Sequence, residues 1–114
     1  MILLPDLRTV PGMNVREHYM ARARRVRVEK ERAGWELAKW AEKPPIPCVC
    51  VLTRIAPSNG LDDDNLAGAL KGVRDAVAAW LGVDDRDRSR VRYVYEQQRG
   101  PWAVGISFEG WPHG

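Results

Sequence analysis

The stretch from Ile46 to Ile55, Ile-Pro-Cys-Val-Cys-Val-Leu-Thr-Arg-Ile, constrains the fold more than any other part of the chain. It is β-rich and apolar on both of its alternating sides, as an interior strand is. An interior strand requires a sheet, so a purely helical fold is excluded. Pro44-Pro45 stands just before it, and each ring removes a backbone donor and restricts the residue ahead of it. Any helix arriving from upstream stops there.

Such a helix is expected from about Tyr19 to Glu42, where Tyr19, Ala23, Val26, Ala33, Leu37 and Trp40 recur on one face; Lys30 and Gly34 weaken that pattern. Residues 1–14 contain Pro5, Pro11 and Gly12 and a short apolar piece, Ile2 to Leu4, and read as a strand or extended arm entering a turn. After the loop Pro57-Ser-Asn-Gly60, a second helix should start within Asp62 to Asn65, where side chains can cap free amides. It should end near Leu81-Gly82, where glycine supplies the left-handed stop. Leu66, Leu70, Val73, Val77 and Leu81 form its core stripe. Val91–Glu96 and Trp102–Phe108 read as strands, and their short connection predicts a hairpin. Trp102, Val104, Ile106 and Phe108 should share the face that packs on helices. The expected architecture is α/β (α+β): a small mixed sheet of about four strands with two helices and a C-terminal hairpin, in a single domain over residues 1–114.

With 45% apolar residues the chain is not wholly disordered, and its longest apolar runs fall far short of the ~20 residues that a membrane span needs. No signal-peptide pattern opens it, and two cysteines make no disulfide framework, so a cytoplasmic setting is expected. Cys48 and Cys50 share a strand face and read as buried small hydrophobes, while His18 and His113 are isolated and receive no catalytic role.

Charge is unevenly spread. Residues 1–44 carry ten Lys/Arg against six Asp/Glu, and residues 45–114 carry eight against nine. Arg22, Arg24, Arg25, Arg27, Lys30 and Arg32 crowd one short segment and suit contacts to a phosphate backbone, although a simply solvated helix face has the same composition. Seven of the eight aspartates lie between Asp62 and Asp87. Asp62-Asp-Asp-Asn65 opens the second helix and Asp84-Asp85 follows it. On an unbroken helix Lys71 and Asp75 fall within about 20° of Asp64, making a polar ridge away from the core. If the loop after the helix returned along the sheet, Asp62, Asp64 and Asp85 would converge, and their repulsion would call for a hard, oxygen-preferring dication such as Mg²⁺. A helix N-cap is the plain reading of the same acids, though three in a row exceed what a cap requires. An EF-hand is excluded, because Leu66 stands where an oxygen ligand belongs.

The string Asp62-Asp-Asp-Asn65, then Lys71-Gly-Val-Arg-Asp75, then Gly82-Val-Asp-Asp85 resembles the RusA family of Holliday-junction resolvases. Its pattern is Asp-x-Asp-Asn, a Lys and an Asp four residues apart on the same helix, and a closing Asp-Asp pair. Pro11-Gly-Met-Asn14 and the arginines after it look like that family's opening segment and basic region. The resemblance implies a RusA-like fold and a homodimeric, Mg²⁺-dependent endonuclease, with Mn²⁺ as a substitute, that nicks four-way DNA junctions in recombination and repair, in a bacterial or phage-infected cell. Asp62, Asp64 and Asp85 would then be metal ligands and Lys71 the catalytic lysine, with Asn65, Asp75 and Asp84 in support. Asn14, Arg22, Arg24, Arg25, Arg27 and Lys30 would contact DNA. One departure is that the family's lysine usually stands four residues after the second aspartate, a place held here by Gly68, whereas Lys71 stands seven after. Three extra residues are nearly one turn, so Lys71 keeps its face and moves ~4.5 Å along the axis. Its alternative role is an exposed ion pair with Asp75. The rival function is a non-catalytic branched-DNA-binding protein of the same fold.

Overall fold

A computed structural model describes residues 1–9, 19–39 and 42–111. Asn14, His18, Trp40 and His113, singled out above, lie outside the described residues. The elements run β1 (Ile2–Pro5), α1 (Tyr19–Ala38), β2 (Cys48–Ala56), α2 (Asp63–Ala69), α3 (Lys71–Leu81), β3 (Val91–Arg99) and β4 (Ala103–Gly110). The fold is α+β, with a four-stranded mixed sheet in the order β1-β4-β2-β3 and three helices.

The apolar run at β2 is an interior strand. It pairs along its whole length with β3 in parallel and, from Cys48 to Ile55, with β4 antiparallel. This corrects the expected hairpin: β3 and β4 are not neighbours, because β2 lies between them. β2 thus has a hydrogen-bonded partner along each edge, β3 on one side and β4 on the other. The chain instead leaves β3 at Arg99, passes the end of β2, where the Gly100 N–H donates to the Ala56 carbonyl at 3.1 Å, and returns as β4. β1 closes the opposite edge against β4.

Register then fixes which side chains meet. Ile2, Ile106, Leu52 and Tyr95 form one rung across the sheet, and Phe108, Cys50 and Tyr93 form the next but one. All point to the side on which Leu66, Leu70, Val73, Val77 and Leu81 are buried, so the core lies between that face and the helices. Cys48 and Cys50 are buried there, and burial raises both thiol pKa values, with the neighbouring Cys48 adding to the rise at Cys50.

The second predicted helix is two. Leu70 (φ −103°, ψ 8°) interrupts it, and α3 restarts at Lys71. Gly68 and Gly72 flank the break and lower the cost of distorting the helix. Gly72 is also where α3 crosses α1: a Cβ there would sit 2.7 Å from the Val26 carbonyl oxygen and 2.9 Å from the Glu29 Cβ. At the other end Gly82 takes the left-handed conformation (φ 71°) and its N–H donates to Ala78, the expected stop. α1 runs unbroken through Gly34 and ends at Ala38, short of Glu42. It buries Ala33 and Leu37, but Ala23 is exposed, so only its C-terminal half seats fully on the core.

Candidate nucleic-acid interface and acidic site

The acids of interest all lie in the crossover that joins the parallel strands β2 and β3. In a βαβ unit the helix runs back against the strands, so its two ends sit toward opposite ends of the strands. The eleven residues of α3 alone span ~16 Å at 1.5 Å per residue. Asp62 and Asp64 stand at the start of α2 and Asp85 follows α3, so the course of the loop after Gly82 decides how near they come. That loop carries Asp85 back toward the first turn of α3, where its carboxylate lies 3.3 Å from the Arg74 Nε.

The aspartates divide by what they do. Asp62 is the N-cap of α2: one oxygen accepts the Asn65 N–H at 2.8 Å and the other accepts the Asn65 side-chain amide at 3.1 Å. Asp75 accepts from the Lys71 ammonium at 2.9 Å, and Asp85 pairs with Arg74. Asp84 accepts the Arg86 N–H at 2.9 Å, the main reason its pKa is lowered, with the Arg86 side chain adding to it. Asp87 accepts from both the N–H and the hydroxyl of Ser89. Asp63 and Asp64 are exposed and have no hydrogen-bond or ion-pair partner among the described residues. Capping thus employs one of the three consecutive acids.

The break at Leu70 also alters the ridge read from an unbroken helix. Asp64 lies on α2 and Lys71 and Asp75 on α3, the latter two bonded to each other. Among the described residues no group of three or more His, Cys, Asp or Glu side chains is placed to hold a metal ion. The oxygen donors of Asp62, Asp64 and Asp85 have the chemistry that suits Mg²⁺, but their placement does not assemble a three-carboxylate site.

The cations are better gathered. Arg22, Arg27, Lys30 and Lys71 border one cleft of about 500 Å³ between α1 and the start of α3. Lys30 also borders a second, of about 450 Å³, with Asp75, Asp84, Asp85 and Arg86. Arg24, Arg27 and Lys30 are exposed, while Arg22 and Arg25 are half-buried, Arg25 lying 3.7 Å from Glu29. Arg32 is turned away from this surface, donating to the Pro5 carbonyl and tying α1 to the end of β1.

Three residues received no role from the sequence. Arg74, Tyr93 and Tyr95 line a cleft of about 530 Å³ together with Asp85. Arg74 donates to the Tyr95 hydroxyl at 3.0 Å. Burial lowers the Arg74 pKa, but the Tyr95 bond and the charges of Asp85 and Asp75 outweigh it and leave it raised. The Tyr93 hydroxyl is buried without a hydrogen-bond partner among the described residues, and burial raises its pKa. The available signal was the parity of β3, which places Tyr93 and Tyr95 on the helix-packed side. No family model matches this chain, and neither a curated protein nor a solved structure matches it. No helix among the described residues is long and apolar enough to cross a membrane.

Proposed function

We propose that the chain is a Mg²⁺-dependent endonuclease of branched DNA that resolves four-way junctions in recombination and repair, acting in the cytoplasm as a homodimer. The observation that carries this reading is the state of Asp63 and Asp64, two exposed carboxylates left over after Asp62 has capped α2. A folding role accounts for the cap and leaves these two with only a weak helix-dipole contribution. The basic α1 face beside Lys71 supports it further, because phosphate contacts require clustered exposed cations. In this reading Arg24, Arg27 and Lys30 hold the backbone. Lys71 stabilises negative charge growing on a phosphate oxygen, once DNA has drawn its ammonium from Asp75. Mg²⁺ is the dication selected by donor chemistry, with Mn²⁺ as a substitute. A two-fold dimer matches the two-fold symmetry of a junction.

One observation favours a second reading, a non-catalytic protein that binds branched DNA: Asp85 and Lys71 are both engaged in ion pairs within the protein. Lys71→Met separates the two. The Lys71–Asp75 pair is solvent-exposed at i,i+4, so the substitution should change stability by no more than about 0.5 kcal/mol. Nicking of a labelled four-way junction in Mg²⁺ should nevertheless fall on the order of 100-fold, the usual effect of losing one electrostatic contact to the transition state. Equal nicking by variant and parent would remove Lys71 from the reaction. Junction binding without nicking by either would establish the second reading.

A further inference from the structure

Arg54 stands where the alternation of β2 calls for an apolar residue. It shares the core side of the strand with Cys48, Cys50 and Leu52, and its rung contains Leu4, Val104 and Gln97. The residue is 4% exposed. Its Nε donates to the buried Thr9 hydroxyl at 2.9 Å, and its guanidinium carbon lies 5.4 Å from the centre of the Trp102 ring. Among the described residues no carboxylate lies within ion-pairing distance, and its terminal nitrogens have no protein acceptor. Burial lowers its pKa with no neighbouring charge opposing the shift. Buried charges are ordinarily paired, and among the described residues this cation has no counter-charge.

The space beside it supplies a place for one. Arg54 lines a pocket of about 260 Å³ whose other walls are Ser58, Asn59, Gly60, Gln97, Gln98 and Arg99, with no acidic residue. The walls are fixed: the Gln97 side chain accepts from the Leu61 N–H at 2.7 Å and donates to the Leu61 carbonyl at 2.8 Å, bolting the loop before Asp62 to β3. Two guanidinium groups, a hydroxyl and side-chain amides offer donors from several directions, and a guanidinium fork matches the oxygens of a phosphate.

We propose that this pocket binds one phosphate group, and that its source is the nucleic-acid backbone. Naming the source rests on the DNA reading above; phosphate binding itself does not. The pocket lies at the C-terminal ends of β2 and β3, directly before Asp62, so a phosphate held there sets the strand beside the start of α2.

Two arms test it. In the first, thermal unfolding is followed with inorganic phosphate against chloride at matched ionic strength. Phosphate should raise the parent midpoint by several degrees, Arg99→Gln should lose most of that rise, and Arg54→Gln all of it. Arg99 is exposed, so its variant keeps the test informative if Arg54→Gln fails to fold. A rise equal in parent and Arg99→Gln, or no rise in the parent, overturns the pocket. In the second arm, junction affinity is measured over a range of salt. The slope of log K against log[salt] should become shallower by about 0.9 in Arg99→Gln, as for one lost backbone contact. An unchanged slope beside a phosphate-dependent rise overturns the backbone source and assigns the pocket to a free phosphorylated ligand. Neither arm depends on nicking, so failure of the nuclease reading is read separately.

Discussion

Asp64→Asn should lower Mg²⁺-dependent nicking of a four-way junction by at least about 100-fold while leaving junction affinity within a few-fold. The change is nearly isosteric and removes one charge. Asp64 is exposed and has no partner among the described residues, so the fold has little to lose beyond a helix-dipole contribution of about 0.3–1 kcal/mol. A carboxylate that takes part in metal-assisted phosphodiester cleavage contributes several kcal/mol, and each 1.36 kcal/mol is a factor of about ten in rate. Asp63→Asn is the matched control: it makes the same change of charge, next door, at the same helix start. It should cut nearly as well as the parent. Equal losses in the two variants would reduce the effect to local charge and remove Asp64 from the chemistry. Gel-resolved single-turnover cleavage and junction titration in Ca²⁺ read the two quantities independently.

Gly72→Ala and Gly34→Ala should move stability in opposite directions although the chemical change is the same. Both glycines lie in helices, where alanine ordinarily gains about 1 kcal/mol. At Gly34 a new Cβ meets nothing within 4 Å, so that gain should appear in full. At Gly72 the Cβ would approach the Val26 carbonyl oxygen to 2.7 Å, and a backbone atom inside a packed helix cannot step aside as a flexible side chain can. Overpacking of this kind costs about 1–3 kcal/mol, enough to outweigh the helix gain and force α3 away from α1. The expected net loss is about 1 kcal/mol or more, a shift of several degrees in the thermal midpoint. Because Lys71 precedes Gly72 on the same turn, the displacement should also weaken DNA binding across the cleft that Arg22, Arg27 and Lys30 share with Lys71. A Gly72→Ala protein as stable as the parent would show that the two helices do not meet as described.

What the sequence could disclose depended on whether the signal was local. The interior character of β2 and the buried stripe Leu66, Leu70, Val73, Val77 and Leu81 follow from apolar spacing within one element, and both are present. Which strand pairs with which is not local. Val91–Arg99 and Ala103–Gly110 are adjacent in sequence and look like a hairpin, but β2 needs a neighbour on each side and takes one from each. The break at Leu70 was hidden because the stripe continues through it. The acids at both helix ends were plain, but whether they assemble depends on the crossover and its return loop, which only the folded chain reveals. Arg54 was visible all along, as a cation at a core-side position of an apolar strand. Its meaning required the pocket, which is built from the loop after β2 and the end of β3, distant from it in sequence.

The central claim is that this chain cuts branched DNA with the help of a divalent cation. It is tested most directly by incubating the purified protein with an end-labelled four-way junction and with a linear duplex of the same arm sequence, each in Mg²⁺ and in EDTA. Symmetric nicks near the branch point are expected in Mg²⁺, none in EDTA, and an intact linear duplex. A junction that is bound and shifted but never nicked in Mg²⁺, or a linear duplex cut as fast as the junction, would contradict it.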